Sequence, residues 1–380
     1  MHLERRSFLT LLAAAPAAFP QKSSGQKLVY FGTYTRKTSK GIYVAKLDQA
    51  TGKVSEPELA AEVANPSFVT IHPNQKYLYA VSEMGGSAPG GGTVTAYSIE
   101  RPSGKLTKLN QAATKGTSPC HLNVDKTGRT LVVANYGSGS VAAFPVKADG
   151  SLGEAAGFVQ HQGSSVDKRR QAGPHAHSVN YSANNKFVIA ADLGLDEVLV
   201  YKVDPATASL TPNDPPFTKV KAGGGPRHFA FHPKGKYAYV INEMGQAVTA
   251  FAWDANKGTL QEIQHISTLP DGVTVANNTT AEVVAHPSGK FLYGSNRGHN
   301  SIVVYSIGQD GKLTRVENAP TLGEIPRGFT IDPSGKWLLA GNQNSDNVVV
   351  FSIDQGTGKL SPTGQQLKVE AAVCVRFASL

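Results

Sequence analysis

Apolar and polar positions along this chain fall into short runs, and the same run keeps returning. His72-Pro-Asn-Gln-Lys is followed by the apolar stretch Tyr77-Leu-Tyr-Ala-Val and then, past a Gly-rich turn, by the alternating stretch Thr93-Val-Thr-Ala-Tyr97. Asp125-Lys-Thr-Gly-Arg leads in the same way to Leu131-Val-Val-Ala-Asn135 and Ser140-Val-Ala-Ala-Phe144. The phrase recurs at Tyr181–Leu193, His232–Glu243, His286–Arg297 and Asp332–Gln343, and the alternating stretches end in Tyr201, Phe251, Tyr305 and Phe351. Each unit closes on a turn and a residue pair such as Lys105-Leu106, Ser209-Leu210 or Lys359-Leu360. Runs of this length, rich in β-branched and aromatic residues and bounded by Gly, Pro, Asn and Asp, predict strands. Four strands in a repeat of about 50 residues predict a propeller blade.

Six units are complete in the order A to D, where A is the strand before the His/Asp turn. The first unit starts at Leu28-Val-Tyr-Phe-Gly-Thr33 with no strand A before it, and the chain ends in Ala372-Val-Cys-Val-Arg-Phe377, a strand with no unit after it. The expectation is therefore an all-β, seven-bladed β-propeller over residues 26–380. The C-terminal strand completes the first blade, which closes the ring and removes open sheet edges.

Strand A is innermost in a propeller blade, so its residues line the channel. Aligned on the His/Asp position, the residues four before it are Phe68, His121, His177, His228, Glu282 and Gly328. Those five before it are Ser67, Cys120, Ala176, Arg227, Ala281 and Arg327. A structural strand favours small or apolar residues there. Strand B runs back to the same rim and ends in Thr33, Glu83, Tyr136, Leu193, Glu243, Arg297 and Gln343. Two columns thus place charged groups around one mouth of the channel, a convergent polar cluster on a rigid scaffold. His177, Arg227, Glu243 and Arg297 have no repeat-wide role and are the candidate catalytic set. Asn242 and Asn342 are expected to cap turns, and His72, His232 and His286, each preceding Pro, to serve the A–B turn.

Composition narrows the chemistry. The 380 residues carry a formal net charge of +9, which favours anionic partners, but Lys168-Arg169-Arg170 is the longest basic run and nucleic-acid binding is not expected. The two cysteines, Cys120 and Cys374, do not form a disulfide framework. His175-Ala-His177 has alternate residues on one face, yet no third and fourth metal ligand stands out, and neither a metal nor a cofactor is expected. No Gly-x-Ser-x-Gly elbow is present, and the glycines at 90–92 and 223–225 do not join a strand to a helix.

Residues 1–25 stand apart. Arg5-Arg6-Ser-Phe-Leu precedes a short apolar run and an Ala-rich stretch to Phe19, the pattern of a twin-arginine export signal. The run is too short to span a bilayer as a mature helix. The expected protein is exported to the periplasm by the twin-arginine machinery, with no membrane insertion after processing.

Gly32-Thr-Tyr-Thr, Pro119-Cys-His, Ala134-Asn-Tyr-Gly, His175-Ala-His, Gly225-Pro-Arg-His, Ser295-Asn-Arg-Gly and Gly341-Asn-Gln-Asn resemble the lactonase propellers. That family includes bacterial propeller-type 6-phosphogluconolactonases and fungal carboxymuconate cycloisomerases. The resemblance runs from about residue 27 to 378 and implies a seven-bladed propeller acting on lactones without a metal. In the cycloisomerase branch it implies a His, two Arg and a Glu as catalytic groups, at His177, Arg227, Arg297 and Glu243. The export signal departs from the cytosolic habit of the phosphogluconolactonases. The leading expectation is hydrolysis of a small anionic sugar-acid lactone. Glu243 or His177 would take a proton, Arg227 and Arg297 would hold the oxyanion or a substrate anion, and His121, His228, Glu282, Arg327 and Gln343 would form the remaining wall. A muconate-lactone cycloisomerase using the same residues, or a non-enzymatic binding propeller, are the alternatives.

Overall fold

The computed structural model describes residues 25–84 and 91–380. The export segment expected over residues 1–25 lies outside them except for Gly25. Among the described residues there are no helices, and the strands run from β1 (Gln26–Thr33) to β28 (Ala372–Ser379) in seven four-stranded antiparallel sheets. Six sheets take their strands consecutively. The seventh has the order β28, β1, β2 (Gly41–Asp48), β3 (Glu58–Glu62), so the last strand fills the inner place of the first blade. Leu28, Tyr30 and Phe31 pair with Ala378, Arg376 and Val375 across that closure.

Burial explains the strand sequences. A middle strand such as Thr130–Asn135 is covered on both faces by neighbouring blades and is buried throughout, so it reads as an unbroken apolar run. The outermost strands, such as Ser209–Lys219, are mostly exposed and polar. One apolar cluster runs across blades 1, 2 and 3 without a break, through Tyr30, Tyr79 and Phe144.

Polar staples tie neighbouring blades together at several of the seven seams. The buried hydroxyls of Tyr30, Tyr79, Tyr239 and Tyr293 donate to the carbonyls of Gly104, Gly150, Gly311 and Gly358 at 2.9, 3.0, 3.1 and 2.7 Å. His72, His232 and His286 serve the turns as expected. Their Nε2 atoms lie 2.9, 2.9 and 2.8 Å from the carbonyls of Gly128, Gly289 and Gly335 in the following blade. Gly128 has φ +74°, and a Cβ there would collide with the His72 ring. Asn242 and Asn342 also act locally, bonding Thr249 at 2.9 Å and the Thr321 carbonyl at 3.1 Å.

The inner strands carry one device that periodicity does not reveal. In β8 (Pro119–Val124), β12 (Ala176–Tyr181), β16 (Pro226–Phe231) and β24 (Pro326–Ile331) the register against strand B slips by one residue near the start. The residue left over is Cys120, His177, Arg227 and Arg327 respectively. A bulge of this kind re-aims a side chain, here at the channel mouth. The alignment of the fourth blade needs correction as a result. The turn amides of His72, Asp125, His232, His286 and Asp332 donate to the carbonyls of Tyr77, Thr130, Tyr237, Phe291 and Trp337, and their counterpart is Ser182, which donates to Phe187. Ser182, not Tyr181, is thus the reference, and His177 moves one column, to stand with Cys120, Arg227 and Arg327.

Candidate active site

Three of the bulged residues, Cys120, His177 and Arg327, meet the ends of the B strands around a cavity of about 210 Å³. Its wall is Glu83, Cys120, Tyr136, Arg170, His177, Glu243 and Arg327. Glu243 is the hub. Its Oε2 lies 2.9 Å from Arg227 Nε, 3.0 Å from Arg297 Nη2 and 3.9 Å from His177 Nε2, and its Oε1 lies 2.8 Å from Arg170 Nη2. The four residues singled out as catalytic candidates are therefore together. Burial alone would raise the Glu243 carboxyl, but Arg297, Arg227 and Arg170 overcome it and hold it down to about 2.

The two arginines expected to face the substrate stand behind Glu243. Arg227 is 2% exposed, with Nε on Glu243 and Nη1 donating to the Ala281 carbonyl at 2.8 Å. Arg297 donates from Nη2 to the Thr280 carbonyl at 2.9 Å as well as to Glu243. Burial comes first in pulling the Arg297 guanidinium down, to about 9, which leaves it a cation at neutral pH. The arginines that front the cavity are Arg327 and Arg170. Arg327 stacks over the Tyr34 ring at 5.5 Å, and the Tyr34 hydroxyl donates to Glu83 Oε2 at 3.0 Å. Arg170 reaches in from the long connection between blades 3 and 4 and also donates to the Tyr136 hydroxyl at 3.1 Å. Sequence reasoning took Arg170 only as the end of a basic run. No periodic column contains it, so no pattern could have singled it out.

His177 is buried and held well below the ordinary imidazole value, first by burial and then by the charge of Arg227. It is a neutral base at physiological pH. Its Nδ1 lies 3.6 Å from Cys120 Sγ, which also lies 3.3 Å from the His177 carbonyl. Burial pushes the Cys120 thiol far up, so this sulfur is a thiol and not a thiolate nucleophile. Cys120 and Cys374 are both free. His175 turns aside, stacking on Tyr136 at 4.6 Å and donating from Nδ1 to its carbonyl at 2.9 Å. Among the described residues no three His, Cys, Asp or Glu side chains converge as a metal-ligand group.

The next residue along each inner strand forms a second tier. His228 Nδ1 lies 2.8 Å from Glu282 Oε1, and its ring is 5.1 Å from His121 and 5.4 Å from His177. Burial brings His228 down to about 4 despite Glu282, while His228 and Arg376 hold Glu282 low against its burial. Arg376, which sequence reasoning passed over, sits above Phe68 at 4.5 Å and 4.0 Å from Glu282. None of His121, His228, Glu282 and Arg376 is part of the cavity wall, so these residues lie behind the first tier. Gln343 stands at the rim, bonded to Asn344 at 3.2 Å, and is also outside the wall.

Comparison with known proteins agrees with this architecture. The family model for the lactonase, seven-bladed beta-propeller, matches residues 28–377. The 6-phosphogluconolactonase of Bacillus subtilis (strain 168) is 38% identical over 349 residues, covering 92% of this chain and 97% of that protein. That of Formosa agariphila is 37% identical over 350 residues, covering 90% and 97%. The solved structure of a periplasmic gluconolactonase from Pseudomonas aeruginosa superposes with a TM-score of 0.88 at 36% identity, covering 93% of this chain and 99% of that one. With the family match spanning almost the whole propeller and a relative of this identity along its full length, the chain belongs to the lactonase family of seven-bladed β-propellers.

Proposed function

We propose that this protein is a lactonase that hydrolyses the ring ester of a sugar-acid lactone to the free acid. The observation that carries the reading is the pairing of a neutral, buried imidazole with a cluster of cations around one small cavity. Two relatives are named 6-phosphogluconolactonases and a third is a periplasmic gluconolactonase, which supports the substrate class.

In this reading His177 Nε2 takes a proton from water as the water oxygen bonds to the lactone carbonyl carbon. The carbonyl electron pair moves to its oxygen. When that pair returns, the ring C–O bond breaks and the leaving alkoxide takes the proton from His177. Glu243, held at about 2, is a poor base and acts as a fixed carboxylate that keeps Arg170, Arg227 and Arg297 in place. The cations Arg170, Arg227, Arg297 and Arg327 outnumber Glu83 and Glu243, and His177, His121 and His228 are neutral, so the site attracts an anionic lactone.

The test is turnover of glucono-lactone, its 6-phosphate and muconolactone by the purified protein. Ring opening of a gluconolactone supports the proposal. Conversion of muconolactone alone turns the reading to a cycloisomerase, and binding without turnover of any turns it to a binding propeller. Export is the second part of the proposal. It is supported by Arg5-Arg6 ahead of the apolar run and by the periplasmic home in the name of the Pseudomonas neighbour. Replacing Arg5 and Arg6 with Lys is expected to leave a folded protein inside the cell, and continued export would defeat it.

A further inference from the structure

The lactonase reading, on which this inference rests, requires a donor for the oxygen that becomes negative in the transition state. Such a donor needs free N–H groups that face the reacting carbonyl before reaction begins. The four guanidiniums around the site differ sharply in this respect. Arg227 has spent Nε and Nη1 on Glu243 and the Ala281 carbonyl. Arg297 divides Nη2 between Glu243 and the Thr280 carbonyl, and its Nε is buried without a partner and without access to the cavity. Arg170 is held by Glu243 and Tyr136. Arg327 alone fronts the cavity with no protein acceptor for its N–H groups among the described residues, its guanidinium carbon lying 5.5 Å over the Tyr34 ring.

Its position suits the chemistry. Arg327 and His177 are both the extra residue of a bulged inner strand, in blades 7 and 4, and both line the same cavity. A carbonyl between them presents its carbon to a water on His177 and its oxygen to Arg327. We infer that Arg327 is a catalytic residue that donates to the carbonyl oxygen as water adds, and that Arg227 and Arg297 set Glu243 and do not touch the substrate. The stacked guanidinium has no reorganisation to undergo at that moment, and its fork meets the oxyanion with two donors.

The experiment compares wild type, Arg327→Gln, Arg327→Lys and Arg327→Ala on the gluconolactone that wild type turns over best. An interaction made only in the transition state lowers kcat and leaves KM. Arg327→Gln is expected to lose about 100- to 1,000-fold in kcat with KM little changed, and Arg327→Lys to retain part of the rate. Added guanidinium ion is expected to restore part of the turnover of Arg327→Ala. The melting temperature should hold in all three, since Arg327 has no hydrogen-bonded protein partner to lose, and if one variant fails to fold the others carry the test. A kcat close to wild type in Arg327→Gln, or a loss confined to KM, would overturn the assignment while leaving the lactonase reading intact. A wild type inert toward every gluconolactone would overturn both.

Discussion

In the proposed reading Glu243 is a buried carboxylate that matters without exchanging a proton. Three guanidiniums hold it ionised at about 2, far below the pH at which it would serve as a base. In Glu243→Gln those cations face a neutral amide, and removing one partner of a buried ion pair costs about 3–5 kcal/mol. The variant is expected to lose turnover and melting temperature together, and a fully stable, inactive protein would instead point to direct proton transfer by Glu243. Acid stability follows from the same residues. Glu243 has its folded value below the ordinary 4.5, so its contribution is present above pH 4.5 and is lost as pH falls toward 2. His121, His177 and His228 are also lower in the fold than the ordinary 6.5, so the unfolded chain binds protons first and stability drops as pH falls below 6.5, in the case of His228 toward about 4. Melting temperature against pH should therefore fall in two stages, and His121→Gln should flatten the first; an unchanged slope would show that His121 does not contribute. For the same reason kcat/KM should be level between neutral pH and about 8 and fall on the acid side, any alkaline loss near 9 belonging to Arg297. An acid-side inflection near 6.5 or above would place the base elsewhere than His177.

Among the elements, the connection between blades 3 and 4 has a part that the blades alone do not supply. It carries Arg170 to the site and is anchored through Asp196, which accepts from Ser165, Gln171 and the amides of Gly223 and Gly225 at 2.6, 2.8, 2.7 and 2.7 Å. Arg170 is 41% exposed, so its hydrogen bonds to Glu243 and Tyr136 are weakened by solvent. Arg170→Ala is expected to cost about tenfold in kcat/KM, near the lower end for a charged hydrogen bond, with the melting temperature unchanged. An unaffected rate would remove Arg170 from the site. The His72 staple at the opposite face should behave in reverse. His72→Ala leaves the Gly128 carbonyl unpaired and should cost about 1–3 kcal/mol of stability with kcat unchanged. What could be read from sequence divides along the same line. The turn residues and apolar runs spell out each blade, because every blade buries the same faces. Arg170 lies in a connection that no repeat constrains, and the bulge at His177 leaves no mark in the alternation. The one-residue slip at Tyr181 arose because that turn has Ser182 where other blades have His or Asp. That Arg227 stands behind Glu243 rather than before it depends on side-chain reach, which a column of letters does not contain.

At the scale of the whole ring, closure rests on β28. Without it the edge of β1 is an unpaired row of backbone groups beside the apolar residues Val29 and Phe31. Deleting residues 371–380 is expected to give a lower-melting, self-associating protein, and a truncated monomer with the wild-type melting curve would refute the role of the strand. The same strand carries Arg376 and Cys374 to the second tier, so loss of closure and loss of the channel lining are one event. This has a consequence for synthesis. The strand that completes blade 1 follows every other strand of the propeller in the chain, and its partner is the first of them. A nascent chain can therefore stack its blades in order but holds an open edge until β28 is free. Closure of the fold waits on β28, and a chain cut short before it by premature termination or proteolysis lacks the closed ring. Any process that accepts only closed rings would then reject molecules that lack β28, with the ring itself as the check.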